Sequence, residues 1–138
     1  MKDHTFLARE GRWQISGSVV DVAGNPNIAI GLAVVTHSGE LWILEEQVNE
    51  LQNRYTILPL APGATATAFN GVNGVMGELG GSFVFFDDLL ILTYTSSDLT
   101  FHGCEALRML DEDRYETRGA LFRNGGHVSS WSYVLQRA

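Results

Sequence analysis

Apolar residues recur along this chain at every second position, in short runs broken by turn residues. Trp13, Ile15, Gly17 and Val19 alternate with Gln14, Ser16, Ser18 and Val20, the period of two that marks a half-buried strand. Ala23-Gly24-Asn25-Pro26-Asn27 is a turn cluster. Ile28 to Thr36 is apolar and short, bounded by His37-Ser38-Gly39-Glu40. Leu41 to Val48 predicts the next strand and Arg54 to Leu60 another, linked through Asn49 to Asn53 by a turn or a brief helix. Later strands are expected at Ser82 to Phe86, Leu89 to Thr95, Leu99 to Leu110, Arg114 to Phe122 and Val128 to Arg137. Asp87-Asp88, Ser96-Ser97-Asp98, Asp111-Glu112-Asp113 and Arg123-Asn124-Gly125-Gly126 separate them, and Asn-Gly is the strongest short hairpin signal. Helix is expected only at the start, where Asp3 or Thr5 caps a single turn through Phe6, Leu7 and Ala8 that ends at Gly11 and acts as a plug.

The stretch from Gly63 to Gly81 breaks the rhythm. Gly63, Gly71, Gly74, Gly77, Gly80 and Gly81 are mixed there with Ala and Asn. Glycine within strands marks bulges, sharp bends or close backbone approach. A phosphate-cradling loop would need a following Gly-Lys-Ser/Thr and a helix, and neither is present. The expected fold is therefore all-β: a single domain over residues 1–138, an antiparallel up-and-down barrel or sandwich of about 8–10 strands.

The two ends of the chain favour the barrel. With an even number of strands, the first and last lie side by side and antiparallel. Trp131, Tyr133, Leu135 and Arg137 share one face of the last strand, and its aromatic and aliphatic members should point inward. Arg137 then arrives beside Trp13 at the closed end, where a guanidinium on an indole is worth roughly 0.5–2 kcal/mol. Gly11-Arg12-Trp13 resembles the Gly-X-Trp motif that opens lipocalins and other calycin barrels, and the length and strand rhythm are similar as well. The resemblance implies a lipocalin-like barrel with a basic residue from the last strand laid across that tryptophan, the position Arg137 matches. The disulfides and signal peptide of secreted lipocalins are absent, which points the expectation toward bacterial or cytosolic lipocalin-like proteins. Gln14, Ser16 and Gly17 do not reproduce the Gly-X-Trp-X-Gly-X-Gly opening of haem-binding nitrobindin-like barrels.

Composition narrows the partners. Nine basic residues against sixteen acidic ones leave a formal net charge of -7. The basic residues are scattered singly, so no stripe exists to bind nucleic acid or an anionic membrane. Hydrophobic residues make up 45% of the chain, enough for an ordinary packed core. The single cysteine, Cys104, forms no internal disulfide, and the N-terminus has no apolar h-region. The expected location is the cytoplasm.

Candidate chemistry is sparse. His4, His37, His102 and His127 show no paired spacing, and His102 with Cys104 lacks further ligands for zinc, so neither metal nor cofactor is expected. His37 and His127 are expected in exposed turns, and Cys104 as a small buried residue. Glu105 shares a strand face with Phe101, Gly103, Leu107 and Met109. If that face is inside, Glu105 is a carboxylate in an apolar lumen, with its pKa raised unless Arg118 or Arg108 pairs with it. Tyr94, Tyr115 and Tyr133 lie on late strands and could add hydroxyls to a cavity, with structural packing the favoured reading for each. The adjacent acids Glu45-Glu46 and Asp87-Asp88 point to opposite sides of a strand and cannot act as a pair.

Three functions fit. The first is a pocket for a small apolar or amphipathic ligand, with Glu105, Tyr94, Arg118 and Tyr133 as polar anchors. The second is a small cofactor-free enzyme of the isomerase or cyclase type, using Glu105 and a tyrosine. The third is a protein-interaction module that uses exposed strand edges and an acidic surface. A homodimer is compatible with each.

Overall fold

A computed structural model describes residues 3–138. Ten strands follow in order: β1 (Gly11–Asp21), β2 (Pro26–Ser38), β3 (Leu41–Val48), β4 (Leu51–Ile57), β5 (Ala66–Asn73), β6 (Gly77–Phe86), β7 (Leu89–Ser96), β8 (Phe101–Asp111), β9 (Arg114–Arg123) and β10 (Gly126–Arg137). Each strand pairs antiparallel with its neighbours in sequence, and β1 pairs antiparallel with β10, so the sheet closes on itself. This is the up-and-down barrel expected from the turn signals, at the upper end of the expected strand count. Closure removes every free strand edge. An interaction module resting on exposed edges therefore loses its basis.

The glycine-rich stretch is the β5–β6 hairpin. Its ladder runs from Ala66↔Val84 to Asn73↔Gly77. Few apolar side chains mark it, because the inward positions of the hairpin include Gly71, Asn73 and Gly81 beside Phe69 and Leu79. Asn73 fixes the turn: its Oδ1 accepts the backbone N–H groups of Val75 and Met76.

The N-terminal segment corrects one expectation. No helical turn forms among the described residues. Leu7 has φ 71°, the left-handed region that breaks a helix, and Asp3 pairs with Arg9 where a cap was expected. The segment still plugs the barrel, in irregular form. Phe6 and Leu7 are buried against Trp13 and Tyr115, and Phe6 meets Trp13 edge to face with ring centroids 5.6 Å apart.

Tyr115 organises that plug. Its hydroxyl accepts the backbone N–H of Thr5 at 3.1 Å and of Phe6 at 3.2 Å. It also meets His4 Nδ1 at 2.8 Å, while His4 Nε2 lies 2.9 Å from the Asp87 carbonyl. A carbonyl can only accept, so Nε2 carries the proton and Nδ1 accepts from the tyrosine. Three buried groups thus converge on one oxygen, and this long-range demand overrides the local preference for a turn.

At the same end Trp13 faces Arg137 across the β1–β10 ladder. The guanidinium carbon sits 4.9 Å from the indole ring. Arg137 Nε donates to Asp113 Oδ1 at 2.9 Å and a terminal nitrogen donates to the Glu112 carbonyl at 2.8 Å, so the group is held over the ring. The expected closed-end pair is present.

The Tyr115→Phe substitution should lower unfolding free energy by about 3 kcal/mol, because it leaves two buried N–H groups and an imidazole without their partner. Urea denaturation measures this. A loss below about 1 kcal/mol would mean that apolar packing alone holds the plug.

Candidate binding cavity

The plug fills one end of the barrel, and the other end is hollow. A cavity of about 710 Å³ opens beside the β3–β4 and β5–β6 turns, reached past Asn49, Glu50 and Val75. Its walls are mostly apolar, with Val48, Leu51, Met76, Leu92 and Leu121 among them. No Lys, Arg or His belongs to the lining among the described residues.

Glu105 reaches this space from β8. Gly103, Leu107 and Met109 on the same face are buried, so alternation carries Glu105 inward. Thr117 Oγ1 donates to its Oε2 at 2.9 Å, and Trp131 Nε1 donates to the same oxygen at 2.8 Å. Oε1 has no partner among the described residues. The tryptophan bond spans a full strand. Glu105 pairs with Gly119 on β9, and Gly119 pairs with Trp131 on β10, so the indole must cross Gly119 to reach the carboxylate. A Cβ at residue 119 would stand 2.3 Å from the indole, which excludes any other residue unless the ring moves. Tyr94 likewise lies over Gly103, where a Cβ would stand 2.5 Å from its hydroxyl.

A second carboxylate faces the first. Glu46 shares the inward face of β3 with Trp42, Leu44 and Val48. In a closed ring of ten strands, β3 and β8 are diametrically opposite. Glu46 has no hydrogen bond or ion pair among the described residues. Burial, reinforced by the charge of Glu105, pushes its pKa up to about 8. Burial also raises Glu105, and the Trp131 and Thr117 bonds pull it back. The two like groups are thus held differently: burial and the Glu105 charge raise Glu46 with nothing to offset them, whereas two donors favour the ionised form of Glu105.

Tyrosines complete the polar set. Tyr55 and Tyr94 are only 5% and 8% exposed, and their hydroxyls have no protein partner among the described residues. Tyr133 is half-buried on the same wall. Burial raises the pKa of all three, with the two carboxylates adding to it, so they are neutral hydroxyls.

Of the residues singled out by sequence, Glu105, Tyr94 and Tyr133 converge on this cavity. Arg118 does not. Thr117 and Gly119 point inward, so Arg118 projects from the outer surface, where it bonds to Ser132 Oγ. Arg108 is also outside, beside Asp88 and Glu116. Sequence reasoning missed Glu46 because it was weighed only against adjacent Glu45. Its apolar row of Trp42, Leu44 and Val48 was the available signal. Cys104 is exposed on the outer face with His102, contrary to the buried position expected. His37 lies on β2, stacked on Trp42 with its Nε2 2.9 Å from the Leu7 carbonyl, and not in an exposed turn.

Comparison with known proteins bears on the fold. Neither a family model nor a curated protein matches this chain. Among solved structures it resembles an S-type phycobiliprotein lyase from Guillardia theta, with a TM-score of 0.64 at 10% identity over 93% of this chain and 87% of that one. At this identity the likeness shows a shared barrel architecture.

The pH dependence of stability follows from Glu46. Its folded pKa lies above the ordinary value of 4.5, so the native state binds the proton more tightly than the unfolded chain does. Stability is full below the unfolded value and falls as pH rises toward about 8. Glu46→Gln removes the buried charge. It should melt about 4 °C or more above wild type at alkaline pH and level with it in mild acid. Scanning calorimetry across that window checks this, and a pH-independent difference would contradict it.

Proposed function

We propose that this chain is a calycin-type barrel that binds a small amphipathic molecule in its open half. The observation that carries the reading is the unfilled lumen of about 710 Å³, apolar on most sides, with unpartnered tyrosine hydroxyls and a free carboxylate oxygen converging inside. Binding sites combine these features: apolar walls supply affinity and a few polar groups fix orientation. The volume falls within the range of roughly 300–1,000 Å³ usual for small-molecule sites. The architectural likeness to a phycobiliprotein lyase supports a small-molecule role without naming the molecule.

A second reading rests on the carboxylates. Glu46, pushed up to about 8, holds a proton near neutral pH, and Glu105, whose carboxylate form Trp131 and Thr117 favour, faces it. An acid and a base in one enclosed site suit a cofactor-free isomerisation. Glu105→Gln should abolish such turnover, and wild-type activity in that variant would remove the reading.

Phenylnaphthylamine, a neutral apolar fluorophore, tests the binding function. It should bind one molecule per chain with a blue-shifted emission. Leu121→Trp, which places an indole in the lumen, should abolish binding while circular dichroism stays unchanged. Binding that survives this substitution would place the probe on the outer surface and overturn the reading.

A further inference from the structure

Among the described residues the lumen holds two carboxylates and no cation to match them. Glu105 spends one oxygen on Trp131 and Thr117, and its Oε1 is unpartnered among the described residues. Glu46 has no partner at all among them. Tyr55 and Tyr94, each more than nine-tenths buried, aim unpaired hydroxyls into the same space. Glu50 stands at the mouth, and the chain as a whole carries a formal charge of -7. Asn27, Asn49, Asn53, Asn73 and Ser129 add neutral donors and acceptors to the lining, and the charged residues of the described lining are all acidic. An anionic ligand would meet like charge there. A neutral ligand fits the apolar walls but leaves the carboxylate uncompensated, so it binds more weakly than a cation of the same shape.

We propose that the natural ligand of this cavity is an organic amine: a protonated primary or secondary ammonium on an aromatic or aliphatic body. The inference rests on the binding function proposed above and specifies its chemical class. The ammonium sits between Glu105 Oε1 and Glu46, with the tyrosine hydroxyls as further acceptors. The faces of Trp131 and Tyr133, on the same wall, offer cation–π attraction. The apolar body lies against Leu92, Leu121 and Met76.

Proton accounting gives the complex a signature. Glu46, pushed up to about 8 by burial and by the Glu105 charge, brings a proton to the pair. An incoming ammonium favours ionisation of Glu46, and a proton leaves the protein on binding. The groups facing Glu46 are Glu105 on β8, Tyr55 on β4, Tyr94 on β7, Tyr133 on β10 and Glu50 at the rim. None of them is a cation, and the tyrosines do not titrate near neutrality, so the released proton comes from the carboxylate pair.

Naphthylethylamine, naphthylethanol and naphthylacetate share one ring system and differ in charge. Calorimetry on the full chain should find the amine bound at least about tenfold more tightly than the alcohol, with the acetate unbound. Repeating the amine titration in phosphate and in Tris should show proton release through the buffer-dependent heat. Glu46→Gln should abolish that release, and Glu105→Gln should remove the preference for amine over alcohol while the alcohol's affinity persists. Equal binding of amine and alcohol, or preference for the acetate, would overturn the amine assignment and leave the binding function standing. Failure of all three ligands together with phenylnaphthylamine would overturn both.

Discussion

The pairing of β1 with β10 sets everything else in this molecule. Joined by Trp13↔Arg137 through Asp21↔Ser129, it turns a ten-strand meander into a closed wall. Once closed, the inward rows of opposite strands must share one interior. At the plugged end that interior is filled by Phe6, Leu7, Trp13 and Tyr115, and Arg137 lies across the indole as the last contact. At the other end none of the described segments enters. The same closure that buries a core at one end therefore leaves a lumen at the other.

Polar groups in that lumen are a consequence of register. Closure brings Glu46 and Glu105 from opposite walls into one poorly solvated space, and mutual repulsion then separates their protonation. Trp131 and Thr117 favour the ionised form of Glu105, since they donate to it alone. Gly119 is part of this device, because only a residue without a side chain lets the indole cross the intervening strand. A core built for stability alone would replace such groups with apolar ones of similar volume. Their presence, with tyrosine hydroxyls unpaired beside them among the described residues, supports the proposed binding site over a filled core.

Much of the barrel was legible in the sequence because one face of each strand meets water. Alternation then writes the inside and outside rows directly, and the Asp- and Asn-rich turns punctuate them. The β5–β6 hairpin escaped because Gly71 and Gly81 erase the apolar row. The N-terminal segment escaped because the Tyr115 hydroxyl, more than a hundred residues away, captures its backbone N–H groups. Glu105 was legible through its apolar neighbours. Glu46 had equally telling neighbours, but its partner lies across a lumen whose geometry depends on the strand number. Arg118 was attractive as a counter-charge, yet the parity of its own strand places it outside.

The central claim is that two carboxylates share one buried lumen and titrate as a coupled pair, both raised above the ordinary carboxylate value. Carbon-13 NMR titration of the glutamate side-chain carboxyls tests it most directly. The account predicts that Glu46 titrates at about 8, that Glu105 is raised above its ordinary value, and that each titration is felt by the other carboxyl. Titration of both residues as independent carboxylates near the ordinary value of 4.5 would show a solvated interior and contradict the account.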